Sequence, residues 1–242
     1  MNEWISGPLI EIKRLELFND ETHACLLGIE DFHLNSGSFM HLVGPSGSGK
    51  SLFLKCLIYL FPIKFETFKF KGQSINQLAI NLYRRRVLYL NQFPDLGDLQ
   101  VQDIYQKFSS LAIYRTPEAP WKMNLAQQFM EHLNYDWQDW KQKSSQHLSG
   151  GEWQMLQHSL GIAAGPDVYL LDETLAAIDK DKRKLILDFY VNQVKVEKKS
   201  VILVDHHTLA HPDIIEKNFL DFTTHTRNSG NLSGRKQNNQ TA

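Results

Sequence analysis

Apolar and polar positions alternate near the start of the chain, and further on the apolar positions form short uninterrupted runs. Ile10, Ile12, Leu15 and Leu17 alternate with polar side chains, which is typical of strands with one buried face. Apolar runs bounded by turn residues predict buried strands at residues 39–43, 87–90, 168–171 and 200–204. Helical patterns lie between these runs, at residues 52–57, after residue 151 and at residues 180–196. Strands that alternate with helices favour an α/β fold with a mainly parallel sheet, beside which the early alternating strands form an antiparallel β subdomain.

The alternation of strands and helices is interrupted at residues 101–147, where aromatic and glutamine-rich helical patterns dominate. We interpret the interruption as a helical subdomain, at about residues 93–161, inserted in a domain that covers residues 1–222. Residues 223–242 are rich in asparagine, glycine, serine and glutamine, a composition that predicts a disordered polar tail.

A complete phosphate-binding loop of the GxxxxGK[ST] type follows the apolar run at residues 39–43. It consists of Gly44, Pro45, Ser46, Gly47, Ser48, Gly49, Lys50 and Ser51. Glycines let successive backbone N–H groups converge on phosphate oxygens, and the helix that follows adds the positive end of its dipole. Lys50 is expected on the β- and γ-phosphates, and the Ser51 hydroxyl is expected to ligate Mg²⁺. The loop therefore predicts that the chain binds a nucleoside triphosphate.

Two carboxylates, Asp172 and Glu173, come directly after the apolar run at residues 168–171. A buried strand that ends in acids delivers them to the carboxyl edge of the sheet, where ligands bind in open α/β folds. Asp172 is placed to hold the Mg²⁺ shell. Glu173 is placed to orient and deprotonate a water molecule for attack on the γ-phosphate.

A second glycine-containing helix start lies at residues 148–152, with the sequence Leu-Ser-Gly-Gly-Glu. Two glycines ahead of a helix can also bind an anion. One triphosphate does not need two such anion-binding helix starts. The simplest explanation is that Ser149, Gly150 and Gly151 serve the nucleotide of a neighbouring subunit.

Taken together, these motifs resemble those of an ATP-binding-cassette (ABC) nucleotide-binding domain, over about residues 9–222. Leu-Ser-Gly-Gly-Glu is similar to the signature motif of the family. The resemblance implies ATP and Mg²⁺ as ligands, with Phe18 stacked on adenine and Asp179 at the end of the D-loop. It also implies that Gln92 touches Mg²⁺ and the attacking water, and that His206 contacts the γ-phosphate and the catalytic glutamate.

The resemblance further implies that two copies close head to tail around two ATP molecules, so that Ser149 and Gly151 of one face Lys50 of the other. The implied partners are a second ATPase subunit, most simply in a homodimer, and a transmembrane permease subunit that holds this cytoplasmic chain on the inner face of the cell membrane. No nucleic acid is expected, since 26 basic and 27 acidic residues leave a net charge of −1. Within the family, the short length and the arginine-rich segment before Gln92 resemble the small Ybb/Fet-type subunits linked to iron export.

Four residues depart from the family pattern. Met155 and Leu160 replace the usual arginines of the signature helix, and Thr174 and Ala176 replace the proline and serine that follow the catalytic glutamate. Subunit communication and turnover rate are therefore open. Two other functions also stay open, a soluble ABC-type ATPase that is not coupled to transport and an ATP-gated interaction protein with weak hydrolysis.

Two groups of side chains have uses that the sequence leaves undecided. A set of aromatic residues can form either the core of the helical subdomain or a docking surface for a membrane partner: Tyr135, Trp137, Trp140 and Trp153. Three consecutive arginines are predicted to form a solvated helix end before a strand: Arg84, Arg85 and Arg86.

Overall fold

The computed structural model describes residues 7–91, 97–114, 120–205 and 211–223, which form nine β-strands and seven α-helices. The strands are β1 (Ile10–Phe18), β2 (Cys25–Leu34), β3 (Phe39–Val43), β4 (Thr67–Phe70), β5 (Gln73–Ser74), β6 (Val87–Leu90), β7 (Val168–Asp172), β8 (Ser200–Val204) and β9 (Ile215–Asn218). The α-helices are α1 (Lys50–Leu57), α2 (Ile80–Arg86), α3 (Val101–Ser109), α4 (Met123–His132), α5 (Trp137–Gln142), α6 (Gly150–Ala164) and α7 (Lys180–Glu197). Short 3-10 helices cover Ile75–Gln77, Ala112–Tyr114, Ser145–His147 and Phe219–Phe222.

The strands form two sheets of different kinds. Five strands form a parallel sheet in the order β6-β7-β8-β3-β9, and four form an antiparallel sheet in the order β2-β1-β4-β5. This arrangement confirms the predicted fold class, a mainly parallel sheet with an antiparallel β subdomain and a helical insertion.

Alternating side chains of the central strands divide the hydrophobic core in two. Val168 and Leu170 of β7 join a cluster with α1 and the antiparallel sheet. Tyr169 and Leu171 of the same strand join a cluster with helices α3 to α7. Because successive residues of a strand point to opposite faces, a strand covered on both faces must be apolar throughout. The uninterrupted apolar runs of the sequence follow from this burial.

The aromatic residues of the helical region form its core. Trp140 is fully buried, and Tyr135, Trp137 and Trp153 pack against the same cluster. Of the two uses that the sequence allows, the structure therefore supports core packing. The predicted bounds of the subdomain and of the whole domain stay predictions, and residues 224–242 lie outside the described ones.

The prediction of a solvated helix end is wrong for Arg85. Its side chain is only 7% exposed, and its guanidinium carbon lies 5.5 Å from the centroid of the Tyr114 ring. Arg86 faces the carboxylate of Asp167 at 3.4 Å. Packing of α2 against the segment around Tyr114 therefore buries a charge that the local sequence places at the surface.

In the part of the chain that the structure describes, none of the helices has the length and apolar character needed to cross a bilayer.

Candidate active site

The phosphate loop connects β3 to α1, in the strand–loop–helix arrangement that the sequence predicts. Gly49 is the N-cap of α1 and has a φ of 99°, in the left-handed region that favours glycine. A Cβ atom at this position would lie 3.3 Å from Cδ1 of Leu27, which is tighter than most real contacts. The backbone turn and the close packing therefore both favour glycine at the start of the helix.

Lys50 lies at the first position of α1 and folds back over the loop. Its Nζ atom donates hydrogen bonds to the carbonyl oxygens of Gly44, at 2.9 Å, and Pro45, at 2.8 Å. Burial lowers the pKa of Lys50, whereas the nearby carboxylates of Glu173 and Asp172 raise it. The lysine therefore lies in the electrostatic field of the predicted base, Glu173, and of the predicted Mg²⁺ ligand, Asp172.

Asp172 ends β7 and receives one hydrogen bond on each carboxylate oxygen. The Ser51 hydroxyl donates to Oδ1 at 2.8 Å, and the Tyr89 hydroxyl donates to Oδ2 at 2.7 Å. The structure thus brings together two of the residues predicted to hold Mg²⁺. Hydroxyl and carboxylate oxygens are ligands that suit this cation.

Tyr89 is a site residue that the sequence reasoning missed. It lies in β6, which pairs in parallel with β7, so that both strands end at the same edge of the sheet. The sequence offers no signal for this role, because the pairing of β6 with β7 cannot be read from either strand alone. Burial and the hydrogen bond to Asp172 raise the pKa of Tyr89 well above its usual value, so the hydroxyl remains a donor.

Glu173 occupies a strained backbone conformation. Its φ of 55° lies in the left-handed region, which costs a residue other than glycine about 1–3 kcal/mol. Its backbone N–H donates to the carbonyl oxygen of Val204 at the end of β8, at 2.9 Å. Strain of this kind persists only where the surrounding structure enforces it, and it is common at functional sites.

The signature segment begins α6 with a reciprocal pair of hydrogen bonds. The Ser149 hydroxyl accepts from the Glu152 backbone N–H at 3.2 Å, and Oε2 of Glu152 accepts from the Ser149 backbone N–H at 2.9 Å. A Cβ atom on Gly151 would lie 3.0 Å from the carbonyl oxygen of Ala177. The second glycine of the motif therefore lets α6 approach the segment that follows β7.

A cleft of about 600 Å³ opens at this helix start. The residues that line it are Tyr135, Ser149, Gly150, Gly151, Glu152, Met155, Ala177, Ile178, Asp179 and Lys182. Asp179 caps α7 by accepting a hydrogen bond from the Lys182 backbone N–H at 2.9 Å. The structure thus places Asp179 with the three signature residues predicted to face a neighbouring nucleotide.

The predicted roles of three further residues stay predictions. Phe18 ends β1, and Nζ of Lys64 lies 5.1 Å from the centroid of its ring. Its stacking on adenine stays a prediction. Gln92 and His206 lie outside the described residues.

A parallel sheet with a phosphate loop, a carboxylate pair and a second helix-start cleft defines a nucleotide-hydrolysing protein of the phosphate-loop class. The family model described as ABC transporter matches residues 28–176, which is more than half of the chain. The chain belongs to this family, and it is an ATP-binding protein and an ATPase of the ABC type.

Similar proteins carry transport names. The chain is 27% identical over 209 residues to the "Probable iron export ATP-binding protein FetA" of Escherichia coli (strain K12), covering 83% of this chain and 86% of that protein. It is 26% identical over 214 residues to the "Nickel import system ATP-binding protein NikD" of Staphylococcus aureus (strain MW2), covering 84% and 80%. A solved structure, described as the ATP-binding subunit of an ABC transporter, has a TM-score of 0.68 at 20% identity, covering 82% of this chain and 79% of that one.

Proposed function

We propose that this chain is the ATP-hydrolysing subunit of an ABC transporter and energises transport by a separate membrane subunit. The observation that carries the proposal is the convergence of four side chains at one sheet edge. Ser51 contacts Asp172 directly, and Lys50 lies within the field of Asp172 and Glu173. Membership of the ABC transporter family supports ATP as the nucleotide.

Ser51 and Asp172 would hold Mg²⁺, together with Gln92, whose role is implied by the family pattern. Their oxygens suit the cation, and Mg²⁺, when bound, neutralises charge on the phosphates. Lys50 exchanges its hydrogen bonds with the loop carbonyls for bonds to β- and γ-phosphate oxygens. The loop backbone and the start of α1 hold the phosphates in place.

Glu173 accepts a proton from the water that attacks the γ-phosphorus. As the new P–O bond forms, the bond from that phosphorus to the bridging oxygen breaks, and the electron pair leaves with ADP. The strained backbone at Glu173 supports this role, since such strain is common where a catalytic group must be held in one orientation. By the family resemblance, His206 would contact the γ-phosphate.

A second copy of the chain would complete each site. Ser149, Gly150, Gly151 and Asp179 of one copy would face the phosphates bound by the other, and Phe18 would stack on adenine. The signature cleft supports this, because its lining includes Ser149, Gly150, Gly151 and Asp179 but no residue of the phosphate loop.

Coupling to a permease would hold the chain at the inner face of the cell membrane. The names of FetA and NikD support a transport role, and those two proteins differ in the metal and in the direction they are named for. By the family resemblance, the membrane subunit would contact the helical subdomain, where a groove of about 470 Å³ runs along α3, lined by Leu99, Asp103, Gln106, Lys107 and Ser110.

Replacing Glu173 by Gln tests the proposed chemistry. The amide cannot accept the proton, so steady-state ATP hydrolysis should fall about 100-fold or more while ATP binding persists. Phosphate release and ATP binding are measured on the same preparation. Unchanged turnover would refute the assignment of the base, and wild-type protein that binds ATP without hydrolysing it would favour the interaction-protein alternative.

The same variant tests the coupling. E173Q protein that retains ATP should be recovered in the membrane fraction of the cells that naturally make this protein. A chaotrope should release it from that fraction, as expected of a peripheral subunit. Recovery only in the supernatant, with ATP bound, would favour an ATPase that is not coupled to transport.

A further inference from the structure

A buried histidine of α6 contacts the backbone that follows the catalytic glutamate. His158 has no solvent exposure. Its Nε2 atom lies 3.2 Å from the carbonyl oxygen of Thr174, and its Nδ1 atom lies 2.9 Å from the hydroxyl of Tyr190 on α7. Thr174 directly follows Glu173, so the imidazole is linked to the catalytic residue through one peptide unit.

The two contacts fix the tautomer of the ring. A carbonyl oxygen can only accept, so Nε2 must carry the proton that it donates to Thr174. Nδ1 is then the acceptor, and the Tyr190 hydroxyl donates to it. Burial lowers the pKa of His158 to about 4, which keeps the ring neutral at physiological pH.

Hydrogen bonds hold the chain on both sides of Glu173. On one side, the Glu173 N–H donates to the carbonyl oxygen of Val204 at 2.9 Å. On the other side, the carbonyl group of Thr174 accepts from His158. The carbonyl oxygen of Glu173 itself accepts from the Ala176 backbone N–H at 3.5 Å, and the bond from His158 holds the next peptide group along the chain. The left-handed conformation of Glu173, with a φ of 55°, is therefore bounded by hydrogen-bonded groups on both sides.

The rest of the segment is held by other groups further from Glu173. Oε1 of Gln154 accepts from the Ala177 backbone N–H at 3.0 Å, and the Arg183 guanidinium donates to the Leu175 carbonyl oxygen at 2.9 Å. Gln154, like His158, comes from α6. The hydrogen bond from His158 reaches the residue next to Glu173, where a small backbone rotation would displace the Glu173 carboxylate.

We propose that His158 is a positioning residue for the catalytic glutamate, acting through its hydrogen bond to the Thr174 carbonyl group. The inference rests on the proposed role of Glu173 as the base. His158 does not touch the nucleotide site itself, so its loss should affect the orientation of the base more than the binding of ATP. A mutation far from the chemistry that misplaces a reacting group by about 1 Å can lower the rate about 100-fold.

Graded substitutions of His158 separate positioning from packing. Leu fills much of the ring volume without a donor, Gln places an amide N–H near the position of Nε2, and Asn places one nearer to Nδ1. We expect kcat to fall roughly 10- to 100-fold in H158L and H158N, with KM for ATP within about twofold of wild type. H158Q should recover most of kcat, because the amide still donates to the Thr174 carbonyl oxygen.

Two control variants change the same buried region without removing this hydrogen bond. Y190F deletes the donor to Nδ1 but leaves Nε2 bonded to Thr174, so kcat should stay within about threefold of wild type. S159A removes a hydrogen bond at the next residue of α6, where the Tyr105 and Ser159 hydroxyls lie 2.5 Å apart. Its kcat should be unchanged, since that bond does not reach the segment after β7.

The outcomes distinguish this inference from the proposed function. If E173Q is inactive but H158L keeps its kcat, or loses no more than S159A, the positioning role is overturned and the base assignment stands. If E173Q keeps its activity, the base assignment fails. Should H158L not fold, the comparison of H158Q with H158N decides, and equal kcat values for that pair would overturn the inference.

A spectroscopic measurement tests the hydrogen bond independently of activity. Nitrogen-15 spectra of the nucleotide-free chain, with H158Q used for assignment, should show His158 protonated at Nε2 and unprotonated at Nδ1. The opposite tautomer would exclude donation to the Thr174 carbonyl oxygen and would overturn the inference.

Discussion

Individual residues around Asp172 control the orientation of its carboxylate. Ser51 donates to one oxygen and Tyr89 to the other, at 2.8 and 2.7 Å. Hydrogen bonds to a charged group contribute about 1.5–3 kcal/mol each, so this pair strongly favours one rotamer of the carboxylate. Loss of a group that orients a metal ligand in this way typically lowers metal affinity or activity about 10- to 100-fold.

At this scale we expect Y89F to weaken Mg²⁺-dependent ATP binding roughly tenfold, because Oδ2 of Asp172 loses its donor. Binding measured in excess EDTA should match wild type. The control is Y169F on the adjacent strand β7, where the buried Tyr169 hydroxyl has no hydrogen-bond partner among the described residues. An equal loss with and without Mg²⁺ would contradict this role.

Among the elements, α6 connects the signature cleft to the core. It begins in the cleft at Gly150, is buried along most of its length and ends at Ala164, followed by the C-cap Gly165, which has a left-handed φ of 61°. Met155 and Leu160, which replace the arginines usual in the family pattern, are 2% and 4% exposed and join the larger cluster of the helical region. These departures are therefore accommodated by apolar packing of the helix.

His158 of α6 makes the free energy of unfolding depend on pH. His158 has a pKa of about 4 in the native state, because burial disfavours its charged form, and an ordinary value of 6.5 when unfolded. The unfolded chain therefore binds a proton between these pH values that the native chain does not, so stability falls as pH falls below about 6.5. From pH 7.5 to pH 5, the free energy of unfolding should fall by about 2 kcal/mol through this group.

Urea unfolding of wild type and H158Q at both pH values measures this contribution. The variant has no imidazole at this position, so its loss of stability should be smaller by that amount. Groups common to both proteins cancel in the comparison. Parallel losses in the two proteins would show that His158 does not titrate as its burial predicts.

On the scale of the whole molecule, one chain carries two separate helix starts that the proposed function assigns to phosphate binding. The phosphate loop begins α1, and the cleft at Ser149 begins α6. If each helix start completes the other in a second copy, a two-fold dimer closes with two identical sites, and no further copies can add. A subunit in which the phosphate loop or the base is inactivated would still supply an intact cleft to its partner.

Mixing two inactive variants tests this arrangement. E173Q removes the base, and S149R blocks the cleft. In a dimer of one E173Q and one S149R chain, both defects fall on the same site, and the other site combines intact Glu173 with intact Ser149. An equal mixture should therefore recover roughly a quarter of wild-type hydrolysis, because about half of the dimers are mixed and each has one intact site. A mixture no more active than its separate components would contradict completion of the site by a second copy.

Much of the fold and part of the candidate site could be predicted because their signals are local. The run at residues 168–171 both forms β7 and delivers Asp172 and Glu173 to its end, and the glycines of the phosphate loop set its turn. Gln92 and His206 came from the family resemblance and stay predictions. Tyr89 and His158 could not be predicted, since each acts through a partner far away in the chain.

The sequence by itself determined β1 and the central strands β3, β6, β7 and β8, the phosphate loop and the acidic strand end, because periodicity, turn residues and motif spacing are properties of neighbouring residues. It did not predict β2, β5 or β9. The tertiary structure decided which distant groups meet. The strand order β6-β7-β8-β3 brings Tyr89 to Asp172, and the packing of α2 buries Arg85. Such contacts depend on sheet order and on how helices pack against the sheet, and no single stretch of sequence specifies either.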